Sequence, residues 1–375
     1  MFRAVIDRRS LPQGRRILVI SDVHGALPHL QGLLRQAEFS GEDVLILLGD
    51  MLEKGPYSLD TLRYVMHLCE THTVFPVLGN CDCWHRLLFD GGESLTERCR
   101  DYILHSMPGF GKGLLRQMCE EMAYPLAEDM DMDALRVSLR ENFAREFGFL
   151  YSLPHVIETP HYTFVHGGLP EGAPESWDAA DCMKNDFFMQ QGRKFDKWQI
   201  VGHTPVVLYC GDFPCADPIA ERGSHIVSID GGCVLKDDGQ LNALIIPFDG
   251  SEDFSFTAWD PFPVRRAKTR QSASEKSFYV RWGDNRVRVL SRGKEFSHVR
   301  HERTGYELDV LTKYLYGEGE SVTCNDCTDY VLPVEPGDAL RIVEETSRGV
   351  FCKRGGVSGW YFGTLEDDKY VSDRG

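Results

Sequence analysis

Three apolar runs of this chain each end in a side chain able to bind a cation. Arg16-Ile-Leu-Val-Ile-Ser-Asp22-Val-His24-Gly25 delivers a carboxylate and, two residues on, an imidazole. Glu42-Asp-Val-Leu-Ile-Leu-Leu-Gly49-Asp50 delivers a second carboxylate, and Thr73-Val-Phe-Pro-Val-Leu-Gly79-Asn80 a carboxamide. Brought together, these oxygens would repel or sit unsatisfied unless a cation joined them. A mixed set of carboxylate, carboxamide and imidazole suits Mn²⁺, Fe or Zn²⁺.

What must position them is a sheet. A continuous apolar run closed by a turn reads as a strand buried on both faces. Between the first and second runs, Leu27, Leu30, Leu33, Leu34 and Ala37 fall at helical spacing; between the second and third, so do Leu59, Leu62, Val65, Met66 and Cys69. The order is β-α-β-α-β. Right-handed crossovers between parallel strands put Asp22, Asp50 and Asn80 on one edge, the carboxyl edge where open α/β folds place ligands. Further on, Tyr162–Val165 leads into His166 and Lys197–Val201 into Gly202-His203, while His225–Asp230 and Leu241–Ile246 read as additional strands. His155 and His161 read as packing or surface residues.

The ordered motifs Ser21-Asp22-Val23-His24-Gly25, Gly49-Asp50-Met51-Leu52-Glu53-Lys54-Gly55-Pro56, Gly79-Asn80-Cys81-Asp82, Val165-His166-Gly167-Gly168 and Gly202-His203-Thr204-Pro205 resemble those of the calcineurin-like metallophosphoesterases. The likeness covers residues 16–250 and is greatest to the branch of serine/threonine phosphoprotein phosphatases and bacterial diadenosine tetraphosphatases. It implies an α/β fold of two packed mixed β-sheets flanked by helices, with metals at the strand-end edge. It implies two divalent metal ions, Mn²⁺ first, with Fe or Zn²⁺ as alternatives. Asp22 and His24 would bind the first metal, Asp50 would bridge both, and Asn80, His166 and His203 would complete the second. Two such cations about 3.5–4 Å apart clamp a phosphate and acidify a bridging water. The implied reaction is hydrolysis of a phosphate ester by the resulting hydroxide, with Asp50, Glu53, Cys81 and Asp82 at the reacting centre. Lys54, Asn80 and Lys184 would face the substrate.

The departures from the pattern bear on mechanism. Cys81 stands where the phosphoprotein phosphatases carry the histidine that protonates the leaving group, and a thiol with a pKa of about 8.5 is a poor stand-in for an imidazole near 6.5. Gly-Asn-Cys-Asp also occurs in a branch associated with phosphodiester chemistry. Lys54 replaces the family arginine after the bridging aspartate, and Lys184 aligns with a second one. Lysine cannot form the bidentate fork that guanidinium makes with phosphate, so oxyanion recognition is expected to be looser. Cys81 as a nucleophile is the sharper alternative.

Residues 84–150 interrupt the strand pattern. Leu135, Leu139, Phe143 and Phe147 give one amphipathic helix over Met132–Phe147, and the segment reads as a helical insertion or cap in a catalytic domain of residues 1–268. Met107-Pro-Gly-Phe-Gly-Lys-Gly113 lacks the context of a nucleotide P-loop. The polar stretch 269–276 reads as a linker. From 277 to 375, short β-like runs separated by Gly, Asp and Asn suggest a small all-β domain, faintly SH3-like. Its Cys324-Asn-Asp-Cys327 has chelate spacing, but a structural zinc site needs a second pair.

With 42% hydrophobic residues among 375 and no apolar run long enough to span a bilayer, the composition is that of a globular protein. The opening nine residues carry no apolar signal-peptide core, so the expected address is cytoplasmic, where the 12 cysteines would be buried thiols. A net charge of −16 argues against nucleic acid and anionic membranes as partners. Two classes of function remain. One is a dinuclear metal-dependent phosphoesterase, most like a phosphoprotein phosphatase, or else a phosphodiesterase or dinucleoside polyphosphate hydrolase acting on a phosphorylated small molecule. The other is a non-catalytic relative that binds a phosphorylated partner, through the C-terminal β domain.

Overall fold

The computed structural model describes residues 2–106 and 109–366, and it divides into two compact units. Met107 and Pro108 of the Gly-rich loop and residues 367–375 of the expected C-terminal domain lie outside the described residues. The first unit takes in the chain to Val206, Pro218–Leu235 and Gly239–Asp260.

Its strands are β1 (Ile6–Arg8), β2 (Ile17–Ile20), β3 (Val44–Leu47), β4 (Thr73–Pro76), β5 (Val156–Glu158) and β6 (Tyr162–Val165). β7 (Trp198–Val201), β8 (Ile219–Glu221), β9 (Ile226–Ser228), β10 (Leu241–Ile246) and β11 (Ser255–Trp259) complete them. They form two mixed sheets, ordered β11-β10-β2-β3-β4 and β1-β5-β6-β7-β9-β8. Every residue of β2, β3, β6 and β7 is buried, as expected of strands covered on both faces. Alternation divides them. Ile17, Val19 and Ile46 pack against Tyr162, Phe164 and Ile200 between the sheets. Leu18, Ile20, Leu45 and Leu47 face a second core built with the helices.

Those helices are α1 (Leu27–Gln36), α2 (Ser58–Thr71), α3 (Trp84–Asp90), α4 (Glu93–His105), α5 (Leu114–Glu121), α6 (Met132–Asn142), α7 (Ala144–Ser152) and α8 (Ala179–Met183). Between Trp84 and Ser152 the described residues after β4 thus carry the five helices α3 to α7. The single helix expected over 132–147 is broken at Phe143, where φ −124° and ψ 31° end α6 and begin α7. Phe143 is buried in the same core as Leu139 and Phe147, and a shared apolar stripe cannot distinguish one helix from two when the break falls on a stripe residue.

The second unit takes in Val207–Asp217, Lys236–Asp238 and the chain from Pro261. It is all-β. One sheet runs Glu307–Leu311, Phe296–His301, Arg286–Ser291, Ser321–Cys324, Leu315–Tyr316; a second runs Val264–Arg266, Ala339–Glu345, Val350–Arg354, Val357–Tyr361; Tyr279–Val280 pairs with Cys327–Thr328. The stretch 269–276 is hydrogen-bonded inside this unit. Gln271 pairs its backbone with Val334 and donates its side chain to the Leu332 and Trp360 carbonyls at 2.8 Å. Polar side chains make these bonds, so the stretch looked like a linker by composition. Cys324 and Cys327 bring their sulfurs to 3.6 Å, but among the described residues no third ligand gathers around them.

Candidate metal centre

Ile20, Leu47 and Pro76 are in register across β2, β3 and β4, so Asp22, Asp50 and Asn80 emerge together past the strand ends. His166 and His203 follow β6 and β7 of the other sheet. The two edges meet directly: the His203 N–H donates to Asp22 Oδ2 at 3.0 Å, and His166 Nε2 lies 3.3 Å from Asp50 Oδ1. Asp22, His24, Asp50, Glu53, Lys54 and His203 all adopt positive φ, between 47° and 70°. Non-glycine residues pay about 1–3 kcal/mol each for such conformations, which persist where surrounding structure over-determines them. Gly79 is required by proximity, because a Cβ there would collide with the backbone N and Oδ1 of Asp50.

Two triads of ligand atoms share Asp50: His24, Asp50 and Cys81 in one, Asp50, His166 and His203 in the other, the atoms of each lying within 4.8 Å of one another. Asp22 Oδ1 and His24 Nε2, 3.8 Å apart, are buried with no hydrogen-bond partner. Leaving a carboxylate oxygen and a ring nitrogen so exposed to desolvation is costly unless something else binds them, and a cation held between them meets both needs. The residues therefore fit the metals the sequence implies. Each imidazole also has its outer nitrogen engaged. His166 Nδ1 is 2.7 Å from the Leu48 carbonyl, His24 Nδ1 3.4 Å from the Leu52 carbonyl, and His203 Nε2 2.7 Å from Asp186 Oδ1. Such partners fix the tautomer that turns the other nitrogen inward. The Asn80 carboxamide faces His203 Nδ1 at 2.9 Å. Its oxygen and that nitrogen are two lone pairs, reconciled by a cation between them or by rotating the amide to present its NH₂.

The electrostatics follow from burial and crowding. Burial opposes the Asp50 charge, but His166, His24 and Lys54 hold its pKa well below the usual carboxylate range. Burial likewise pushes His166 down, yet Asp50 and Asp22 carry it up to about 10. His24 is lowered to about 4 by burial and by Lys54. Lys54 feels the charge of this cluster: burial disfavours its ammonium, yet Cys81, Asp50, Asp22 and Asp230 together raise its pKa.

The other residues singled out by sequence are placed differently. Both Asp82 oxygens accept backbone N–H groups, from Leu52 at 3.0 Å and Gly79 at 2.9 Å. Glu53 is buried with Oε1 accepting the Leu114 N–H at 3.0 Å and Oε2 accepting the Tyr102 hydroxyl. Both carboxyls, read from sequence as catalytic, thus accept hydrogen bonds from the loops and helices flanking the site. The Cys81 N–H donates to Asp50 Oδ1 at 2.7 Å, and burial with Asp50 nearby raises its thiol well above the ordinary range. Lys184 is exposed after α8 and makes no ion pair to the cluster. Sequence reasoning passed over Asp230, fully buried past the end of β9 with Oδ2 unpartnered, and Asp186. The signal for Asp230 was present, since Ile226–Asp230 repeats the strand-then-carboxylate pattern of Asp22 and Asp50.

Residues 15–229 match the family model of the calcineurin-like phosphoesterases. The chain belongs to that family. Symmetrical bis(5'-nucleosyl)-tetraphosphatases are among its curated relatives. That of Shigella dysenteriae is 32% identical over 171 residues, 44% of this chain and 48% of the relative; that of Citrobacter koseri is 33% identical over the same length and shares. This calcineurin-like phosphoesterase chain thus spans about half the length of the curated relatives it matches. Among solved structures, a cold-active protein-tyrosine phosphatase of a psychrophilic Shewanella species shares 12% identity at a TM-score of 0.42, covering 68% of this chain and 83% of that one. No described helix is long and apolar enough to cross a membrane.

Proposed function

We propose that this protein is a metal-dependent phosphohydrolase with a dinuclear centre: Asp22 and His24 on one metal, Asn80, His166 and His203 on the other, Asp50 shared. The observation that carries this reading is the pair of ligand triads meeting at Asp50 beside the orphaned Asp22 Oδ1 and His24 Nε2. When bound, the metals would supply Lewis-acid charge and an activated water; Mn²⁺ suits the donor set, with Fe or Zn²⁺ as alternatives. The chain's own residues do the rest. Lys54 offers a positive charge to a phosphate oxygen. His203, held by Asp186, and His166, held by the Leu48 carbonyl, keep fixed ring orientations. Asp82 braces the loop that carries Asn80 and Cys81.

No imidazole stands at position 81 to protonate a departing oxygen. A site built this way favours leaving groups that depart as stable anions, such as a nucleotide released from a phosphoanhydride, over the alkoxide of a serine phosphomonoester. The names of the curated relatives point the same way. We therefore place a dinucleoside polyphosphate first and a phosphoprotein second. Purified protein with Mn²⁺ is assayed against diadenosine tetraphosphate, bis-p-nitrophenyl phosphate, p-nitrophenyl phosphate and a phosphoserine peptide. The tetraphosphate is expected to be cleaved with the highest kcat/KM, and EDTA to abolish turnover. Preference for the phosphopeptide reverses the order of substrates; EDTA-resistant turnover overturns the metal mechanism.

A further inference from the structure

The second unit carries a cavity of about 440 Å³ with an aromatic floor and an acidic rim. Phe296, Trp360 and Phe362 form the floor, the last two rings parallel to within 4°. The indole is fixed because its N–H donates to the Thr328 carbonyl at 2.8 Å. Glu307, Asp309 and Asp329 form the rim.

Two of these carboxylates are already used. Strand register sets His298 opposite Asp309 and Arg300 opposite Glu307. His298 lies between both acids, Arg300 binds Glu307 at 2.6 Å, and Arg348 binds Asp309 at 2.5 Å. Arg348 also sits over the Phe296 ring, 4.2 Å from its centroid, so a guanidinium of the chain itself occupies one aromatic face of this cavity. Asp329 differs. It accepts the Phe278 N–H and the Tyr306 hydroxyl, each at 2.8 Å, and among the described residues no cation pairs with it. Thr328, its neighbour in sequence, is the residue that holds the Trp360 indole. Asp329 and the exposed Phe362 both line this cavity, whereas Trp360 is buried, its ring packed against Phe296, Phe351 and Phe362.

We propose that this cavity binds a basic side chain, arginine or lysine, carried on a partner polypeptide. The cationic group would lie beside Asp329 and against the exposed Phe362 ring. A cation over an aromatic face is favourable, more so beside a carboxylate, and Arg348 on Phe296 shows the same chemistry built into the site. Arg300, Arg348 and His298 answer Glu307 and Asp309, so Asp329, without a cation among the described residues, is the charge that favours a cationic ligand over an anionic one. The cavity volume lies in the range of small-ligand clefts and suits a few side chains of an extended segment rather than a folded surface. Phe362, 52% exposed, supplies apolar area that such a segment would cover.

The test titrates the full chain by calorimetry with acetylated, amidated Arg-Ala-Arg-Ala-Arg and with its lysine, glutamine and glutamate counterparts. Wild type, Asp329→Asn and Phe362→Ala are compared. The arginine and lysine peptides are expected to bind, and each substitution to weaken them at least about fivefold, the size of a lost cation–π or charge contact. Thermal midpoints and the near-ultraviolet circular dichroism should stay as in wild type. Equal affinity in both variants would place the peptides elsewhere on this acidic chain and overturn the proposal. So would tighter binding of the glutamate or glutamine peptide, or no binding at millimolar peptide. A concentration-dependent dimer that Phe362→Ala dissolves would put a second copy of the chain in the cavity and likewise overturn it.

Discussion

The hydroxyl of Tyr102, on α4, donates to Oε2 of Glu53, three residues along the loop from Asp50. The other Glu53 oxygen accepts the N–H of Leu114, the first residue of α5. Trp84 stacks on Tyr102 at 3.7 Å, and Gly113 has no room for a Cβ between Glu53 and Tyr102. Glu53 and Lys54 are adjacent and both left-handed; Glu53 reaches out to the helical insertion, while the Lys54 ammonium lies in the field of Cys81, Asp50 and Asp22. The insertion is thereby latched to the loop that aims Lys54.

Tyr102→Phe keeps the stacked ring and removes the donor. A buried acceptor left without its partner costs about 1–3 kcal/mol, which should appear as a lower thermal midpoint. If the latch also sets Lys54, KM for a phosphate ester should rise more than kcat falls. A variant that loses stability with KM unchanged would reduce the latch to packing.

Asp50→Asn should leave the chain folded, abolish turnover and lower the bound metal below two per chain, because the shared carboxylate loses its charge and one strong acceptor. Asp22→Asn should weaken chiefly the site it shares with His24. Metal analysis of dialysed protein decides both. Active wild-type protein containing one metal would remove the dinuclear reading.

His155, which is not among the proposed metal ligands, provides a pH prediction. It is buried, its Nδ1 accepts the Val5 N–H at 3.0 Å, and burial together with Arg86 lowers its pKa to about 4. The folded chain therefore binds this proton less readily than the unfolded chain, whose imidazole titrates near 6.5. The stability is fully present above pH 6.5 and is lost as pH falls from 6.5 to 4, by roughly 3 kcal/mol at most. His155→Asn, whose amide oxygen can replace Nδ1, should flatten that part of the profile in urea unfolding. Parallel profiles for the two proteins would count against it.

A chain ending at Asp260 would strand Val207–Asp217 and Lys236–Asp238, which belong to the second unit. Lys236 would lose Asp326, and Phe213 the Tyr330 ring stacked 4.4 Å away. Lys236 is mostly buried, and an ammonium deprived of its partner in such surroundings costs about 3–5 kcal/mol. The truncated protein should therefore unfold well below the full chain. An unchanged midpoint would show that these loops fold without the second unit.

The strand ends were legible because fully buried strands leave continuous apolar runs, and the residues following them, Asp22, Asp50 and Asn80, interrupt those runs abruptly. His166 and His203 needed the resemblance, since a lone histidine after a strand carries no periodic signal. What sequence could not supply was the direction of each side chain. Glu53 and Asp82 sit among ligands in the sequence, which does not reveal that Glu53 accepts from Tyr102 and Leu114 and Asp82 from two backbone N–H groups. Asp186 escaped because it acts through His203 across 17 residues of chain. In the second unit, cross-strand pairs such as His298 with Asp309 depend on register, which composition does not encode.

Cys81 is where this chain departs most from the phosphatases it resembles, and its chemistry can be measured. Attack on phosphorus by water requires nothing from a thiol. The departing oxygen does need charge relief, and an alkoxide needs it far more than a nitrophenolate. A positioned general acid contributes typically 10²–10⁴-fold when it carries the step. Burial and Asp50 push the Cys81 thiol up, which disfavours a thiolate nucleophile, and its sulfur lies within 4.8 Å of His24 and Asp50 ligand atoms. Cys81→Ala should therefore change turnover of p-nitrophenyl phosphate by less than about tenfold, below the range of a lost general acid. Cys81→His should improve a poor leaving group, such as an alkyl phosphate, more than it improves the nitrophenyl ester. A covalent phosphocysteine makes the opposite forecast, near-complete loss in Cys81→Ala and inactivation by iodoacetamide. Both variants are assayed on one activated and one unactivated ester, with metal content determined in each. An inactive Cys81→Ala protein that retains two metals would make the thiol a participant in the chemistry.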